Sequence, residues 1–354
     1  MNLLFITYKV DETDSLVGFV AGWLRALAAR VERLDVICLA QGPASLPDNV
    51  RVHSLGKERG AGKLRQAVEF WRAARRIQAD VVFCQFSPIF VIAIAPFAKL
   101  RGWPILLWYT HRHVDLKLRL ATALADRVLT ASPESFRLAS PKVRVVGHGM
   151  DTERFAPATE VATTNAGKIV LAVGRIAPIK HYEMLIEAAR ILVREQGRAE
   201  VEFLIVGDVE GPVPAGYAEG LRHQAAEAGL EGRLRFCGRV PHGEVVDYYR
   251  RAAVTVNLCP TGGLDKAVLE GMAAGRPALV RNSSFAALLG QDAELLLAPD
   301  GDVRAVAERL VRLLDMPEAE RAALGLRLRQ RVVAEHSLER LADRIAAEAQ
   351  ACRR

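Results

Sequence analysis

The feature that most constrains this chain is an alternation that occurs twice. Short apolar runs of strand length are each followed by a longer stretch with helical periodicity. The first series opens with an apolar run at residues 3–7. A polar loop over 9–15 and Gly18 then lead into a helical pattern over 19–30, and a second apolar run follows at 34–39. Strand, helix and strand in that order make a βαβ unit. Further strands are predicted at 50–54, 81–85, 105–109, 127–130 and 143–146, with helical stretches between most of them. Residues 151–167 interrupt the pattern with small and polar residues that have no periodicity, and read as a linker. The series then restarts. Strands are predicted at 168–173, 201–206, 234–236, 254–258, 278–280 and 295–298. Helices are predicted at 181–195, 216–228, 242–251, 266–274, 303–314 and from 318 onward. The expected fold class is therefore α/β, with two Rossmann-like parallel sheets covered on both faces. The expected domains are 1–158 and 159–335, with a C-terminal helix over 336–354 packing back on the first.

The chain length of 354 residues fits two domains, and 51% hydrophobic residues suffice for two cores. Five cysteines without paired spacing argue against a zinc site or a disulfide framework and fit a reducing, cytoplasmic compartment. The N-terminus enters its first apolar run with neither a basic segment nor a cleavage site, so no secretory leader is expected. The most apolar stretch, residues 86–98, contains Pro88 and Pro96. At 13 residues it is shorter than the roughly 20 needed to span a membrane, and it reads as a buried helix. Residues 56–64 imitate a phosphate-binding loop. The spacing before Lys63 is one residue too long, and Leu64 stands where a magnesium-holding hydroxyl is required. No GxGxxG follows any predicted strand, which counts against nicotinamide or flavin chemistry.

The net charge of +7 lies entirely in the first part of the chain. Residues 1–160 hold 22 cationic and 15 anionic side chains, whereas the remainder is balanced at 26 and 26. A basic half points to an anionic partner. Its cations lack aromatic residues interleaved on strand patterns, so nucleic acid is not expected. Residues 57–77 read instead as a basic helix with Leu64, Val68, Phe70, Trp71 and Ile77 between the charges, suited to an anionic membrane surface or to an ordinary place on the domain.

Two loops carry the chemistry. Gly174, Arg175 and Lys180 stand between a predicted strand and a predicted helix, where open α/β sheets bind ligands. A forked guanidinium and a mobile ammonium suit a diphosphate. The second loop runs through Gly262, Gly263, Leu264, Asp265 and Lys266 into a helix bearing Glu270. Free amides at such a helix start make an anion site. Lys266 and Glu270 share one face as i,i+4 neighbours, and Asp265 stands where an N-cap would. The Glu270 carboxylate suits the paired hydroxyls of a ribose.

Taken in order, these segments resemble the retaining GT-B glycosyltransferases of family 4. The resemblance rests on Gly174-Arg175 with Lys180, and on Leu269-Glu270-Gly271-Met272-Ala273 with Gly275 and Pro277. Residues 145–151 with Phe155 and Pro157, and residues 125–132, add to it. It implies a GT-B architecture of two Rossmann-like domains facing a cleft, and a nucleotide diphosphate sugar as donor. The acceptor would be a glycan or lipid-linked hydroxyl in cell-surface polysaccharide or glycoconjugate assembly, at the inner face of a membrane. It also implies that Arg175 and Lys180 hold the diphosphate, that Glu270 holds the ribose, that the 262–266 loop contacts pyrophosphate and sugar, that His111 faces the donor sugar as a catalytic residue, and that Gly18 borders donor and acceptor. No cofactor and no metal are expected beyond the co-substrate. The sequence departs from the family at Gly262, where a glutamate eight residues before Glu270 is usual, so that a carboxylate contact is lost or moves to Asp265. A sugar-nucleotide epimerase and a non-catalytic sugar-nucleotide-binding protein remain open as alternatives.

Overall fold

The computed structural model describes residues 1–14, 17–111, 113–157, 168–241 and 243–353. The chain divides into two compact units, residues 1–151 with 335–354, and residues 152–334.

The first unit is built on seven strands: β1 (Asn2–Val10), β2 (Arg33–Gln41), β3 (Val50–Ser54), β4 (Val81–Gln85), β5 (Ile105–Trp108), β6 (Arg127–Thr130) and β7 (Val143–Val145). All are parallel, in the order β3-β2-β1-β4-β5-β6-β7. The near-continuous apolar runs have a direct cause. Successive side chains point to opposite faces, and both faces are covered. Along β1, Leu3 and Phe5 enter one core, while Leu4 and Ile6 enter the other. Val81 and Phe83 of β4 divide from Val82 and Cys84 in the same way.

The helices Phe19–Ala28 and Leu338–Cys352 cover the first face. Leu338, Leu341, Ala342, Ile345 and Ala349 share a core with Val20, Trp23, Leu24 and Leu27. Ser337 caps the C-terminal helix through the Arg340 amide at 3.2 Å. The helices Lys63–Arg76, Pro88–Arg101 and Leu116–Leu124 cover the second face. The apolar stretch containing Pro96 lies within the continuous helix Pro88–Arg101.

The second unit has β8 (Ile169–Val173), β9 (Glu202–Val206), β10 (Leu234–Gly238), β11 (Val254–Asn257) and β12 (Ala278–Val280), parallel in the order β10-β9-β8-β11-β12. The strand expected at 295–298 does not form. Residues Ala293–Leu296 make a helical turn that buries Leu296, and only Leu297 bridges to Val280. Its partner β12 is three residues long and offers no longer ladder. The helix expected over 181–195 forms as an α-helix, Tyr182–Arg190, that widens into a π-helical turn over Ile191–Glu195.

The domain limits also differ from those expected from the sequence. The division falls at 151/152 and not at 158, and the chain rejoins the first unit at Glu335. The start of the presumed linker is ordered on the second unit. Phe155 is buried against the Tyr249 ring at 5.8 Å. Arg329 donates to the Thr152 carbonyl at 2.8 Å, and Arg250 donates to that of Ala156 at 3.1 Å. Small polar residues thus conceal one aromatic anchor. Residues 158–167 lie outside the described residues.

The C-terminal helix is a structural part of the first unit. Ile345 is fully buried in its core, so Ile345→Ala is expected to destabilise that unit by about 2–5 kcal/mol. Hydrogen exchange should show the loss across residues 1–151 while the protection of β8 to β12 is retained. A loss shared equally by both units would contradict the assignment.

Candidate functional site

In the second sheet the strand order reverses between β8 and β11, since β9 lies on one side of β8 and β12 on the far side of β11. Ligands of open α/β sheets bind beyond the carboxyl ends of the strands at such a switch point. Both loops singled out in the sequence leave the sheet there.

The β8 loop is shaped by close backbone contact. Gly174 has φ +151 and Gly207, after β9, has φ +141. A Cβ on Gly207 would lie 2.0 Å from the Gly174 carbonyl oxygen, so no side chain fits. Further along, residues Pro178–Lys180 form a 3₁₀ turn, and His181 follows in the left-handed region with φ +50. That reversal returns the chain over its own start. Tyr182 donates its hydroxyl to the Gly174 carbonyl at 3.0 Å, and the Lys180 side chain lies beside Gly174. Arg175 is exposed beside Gly211, with no hydrogen bond or ion pair to the described residues.

Lys180 meets Asp265 of the second loop in an ion pair that also forms a charge-assisted hydrogen bond. Asp265 has further partners. Asn257, the last residue of β11, donates to it at 3.0 Å, and the Ala267 amide donates at 3.1 Å, so Asp265 is the N-cap of the helix Lys266–Ala273. Burial pushes its carboxyl up, but Lys180, Asn257 and that amide outweigh burial and hold it below the usual carboxylate range.

The Gly262-Gly263 turn is held from β12. Asn282 donates to the carbonyls of Gly262 and Gly263 at 3.3 and 3.2 Å, and Ser284 donates to that of Gly262 at 2.9 Å. Gly262 has φ +127, and its Cβ direction is open, with the Asn282 amide 4.0 Å away as the sole neighbour. Space is therefore available, yet the backbone conformation is one that side chains rarely adopt. Leu264 is buried beneath the turn.

Glu270 is buried and accepts from the Tyr249 hydroxyl at 3.0 Å. The same hydroxyl lies 2.9 Å from the Ala267 carbonyl. Burial, with the Glu270 carboxylate beside it, pushes the Tyr249 phenol well above its usual range. Burial likewise pushes the Lys266 ammonium down to about 8, against the upward pull of Glu270.

Of the residues expected to act together in the second unit, the structure groups all but the Arg175 side chain, which lies beside Gly211. Gly174 and Lys180 meet Asp265, whose helix carries Lys266 and Glu270, and the Gly262-Gly263-Leu264 turn leads into it. Three partners engage the Asp265 carboxylate, at which the sequence allowed a relocated sugar contact. Asn257, Asn282, Ser284, Tyr182 and Tyr249 were not anticipated. Asn257 and Asn282 had one usable signal, a polar residue at or just past the end of an apolar strand.

Gly18 and His111 lie in the first unit. Gly18 begins the helix Phe19–Ala28, where a side chain would meet the Asp14 carbonyl oxygen at 2.6 Å. His111 packs edge-on to Tyr109 with ring centres 5.5 Å apart, and partial desolvation holds its imidazole below the usual value.

Residues 167–316 match the family model described as glycosyl transferases group 1. A D-inositol 3-phosphate glycosyltransferase of Thermomonospora curvata is 32% identical over 227 residues, covering 58% of this chain and 52% of that protein. The mannosylfructose-phosphate synthase of Agrobacterium fabrum is 25% identical over 169 residues, covering 44% and 37%. The chain spans about half the length of the curated relatives it matches. Among solved structures, HepE of Anabaena in complex with UDP superposes with a TM-score of 0.74 at 16% identity, covering 99% of this chain and 100% of that one. The sucrose-phosphate synthase of Thermosynechococcus elongatus gives 0.75 at 18%, covering 99% of both. The architecture is GT-B. The match to the group 1 glycosyltransferases covers residues 167–316, less than half of the chain.

The lowered Lys266 carries a stability consequence. Its folded value lies below that of an unfolded lysine, so the unfolded chain binds more protons between about pH 8 and 10, and stability rises with pH across that window. At pH 7 the half-buried charge is a cost. Lys266→Met is expected to stabilise the protein at pH 7 by on the order of 1 kcal/mol or more, with the gain fading as pH rises from 8 to 10. Urea unfolding across that range checks it, and a destabilised or pH-independent variant would contradict it.

Proposed function

We propose that this chain is a retaining glycosyltransferase. It moves a sugar from a nucleotide diphosphate donor to a hydroxyl of a glycan or lipid-linked acceptor, in cell-surface polysaccharide or glycoconjugate assembly on the cytoplasmic side of a membrane. The observation that carries this reading is the Lys180–Asp265 pair, which sets an ammonium at the mouth of the switch point and at the N-terminal end of the Lys266–Ala273 helix. That position suits an anion. The HepE structure with UDP-glucose, on the same fold, supports a nucleotide sugar as the ligand class.

In the proposed reaction the bond from the anomeric carbon to the diphosphate breaks, and a bond to the acceptor oxygen forms on the same face. The acceptor proton leaves with the diphosphate or to water. Negative charge grows on the leaving phosphate, and groups already aimed there stabilise the transition state more than the ground state. Arg175 supplies a forked donor free to turn onto the diphosphate. Lys180 exchanges its carboxylate partner for phosphate, while Asn257 and the Ala267 amide keep Asp265 in place. Amides of the 262–266 turn contact pyrophosphate and sugar, and Glu270, steadied by Tyr249, accepts from the ribose. His111 is assigned to the donor sugar, and Gly18 to the border of donor and acceptor. The chemistry asks for no metal in this scheme, and undiminished turnover in excess chelator is expected.

A charge-assisted hydrogen bond contributes about 1.5–3 kcal/mol. Arg175→Ala and Lys180→Ala are therefore each expected to lower transfer roughly 10–100-fold or more, with kcat affected at saturating donor. Arg175→Ala should keep the wild-type unfolding midpoint, because that side chain is exposed. A thermal-shift screen against nucleotide sugars, followed by turnover with the one that stabilises, checks both. Wild-type turnover in either variant would remove the assignment. Donor consumption without an acceptor would favour an epimerase, and donor binding without consumption a sugar-nucleotide-binding protein.

A further inference from the structure

Three adjacent helices cover the second face of the first unit's sheet: Lys63–Arg76, Pro88–Arg101 and Leu116–Leu124. Their inner stripes fill the core with Phe70, Ala74, Val91, Ile94, Ala98 and Leu118. Their outer stripes are also apolar. Leu64, Val68 and Trp71 recur at i, i+4 and i+7 on the first helix and are 82, 43 and 38% exposed. Ile89 and Leu100 on the second are 52 and 85% exposed, and Leu116 and Leu120 on the third are 83 and 48% exposed. Trp71 reaches the next helix, 4.7 Å from the Phe97 ring, so the stripes adjoin. Seven of the twelve strongly exposed large apolar side chains among the described residues stand on these three helices. Isolated exposed apolar residues are ordinary, but a concentration of them marks an interaction surface.

The charge on the same helices is one-sided. They carry nine cations, Lys63, Arg65, Arg72, Arg75 and Arg76 on the first helix and two more on each of the others, against one anion, Glu69. That net +8 is the size of the whole chain's excess of +7. All nine are exposed. Long cationic side chains around leucine and tryptophan are the composition of surfaces that lie in the headgroup region of an anionic bilayer. No described helix is long and apolar enough to cross a membrane, so the contact is peripheral.

We infer that this three-helix face docks the first unit onto anionic lipid, with Leu64, Trp71, Leu100 and Leu116 entering the headgroup boundary and exposed cations such as Lys63, Lys117 and Arg119 pairing with lipid phosphate. The inference rests on the first unit alone and stands or falls apart from the donor site.

The test is co-sedimentation of the full chain with phosphatidylcholine vesicles, with and without phosphatidylglycerol, at low and high salt. Binding is expected only with phosphatidylglycerol, and it should weaken as salt screens the cations. The triple variant Leu64→Ser, Leu100→Ser, Leu116→Ser and the triple variant Lys63→Glu, Lys117→Glu, Arg119→Glu are each expected to lower the partition coefficient about tenfold or more. Because all six residues are exposed, both should keep the wild-type unfolding midpoint and the wild-type thermal shift with donor. Equal binding to neutral vesicles, binding to neither kind, or variants that bind like wild type would overturn the inference. So would a dimer seen by analytical ultracentrifugation that the leucine variant dissolves while vesicle binding is absent, which would give the face to a second copy.

Discussion

Lys180 and Asp265 stand 85 residues apart in the chain and meet where the second sheet changes direction between β8 and β11. Most of the surrounding geometry serves that meeting. The ammonium is positioned by a 3₁₀ turn and a left-handed His181, and the carboxylate by an asparagine at a strand end and by its own role as helix cap. A partly buried pair of this kind contributes little net stability, because desolvation offsets most of the attraction. In the proposed reaction it holds an ammonium ready beside a helix N-terminus, where an anion would meet donors that need no rearrangement.

The rest of the second unit tightens the same region. Gly174 and Gly207 let two strand ends approach more closely than side chains permit. Asn282 and Ser284 hold the Gly262 turn from β12. Tyr249 joins the Glu270 carboxylate to Phe155, so the helix that carries Glu270 is tied to the segment at which the chain enters this unit. Lys266 is the exception to this economy: an ammonium kept at a position that depresses its own ionisation.

Legibility in the sequence followed the physics of each element. Strands buried on both faces leave runs such as Leu3–Ile6 and Val81–Cys84 that are hard to misread, and twelve strands were placed to within a few residues. The thirteenth candidate, at 295–298, failed because apolar residues beside a three-residue edge strand find a core by turning helical. The boundary was misplaced because Phe155 is one aromatic anchor among small polar residues. In the site, Arg175, Lys180 and Glu270 stood out through charge at loop and helix positions. Asn257, Asn282 and Ser284 did not, since their task is to hold backbone across sequence distances that no local pattern records. The absence of a side chain at Gly262 looked like a lost contact. The structure adds that the backbone there takes a conformation suited to glycine.

Hydrogen exchange of the full chain, free and with millimolar UDP, GDP or ADP, tests most directly whether the β8 and β11 loops form a nucleotide diphosphate site. At least one of these nucleotides is predicted to bind saturably and to protect residues 174–182 and 260–271 most strongly, with β12 and the turn at Asn282 following. Saturable binding with protection confined to other segments, or no binding by any of the three, would contradict the assignment.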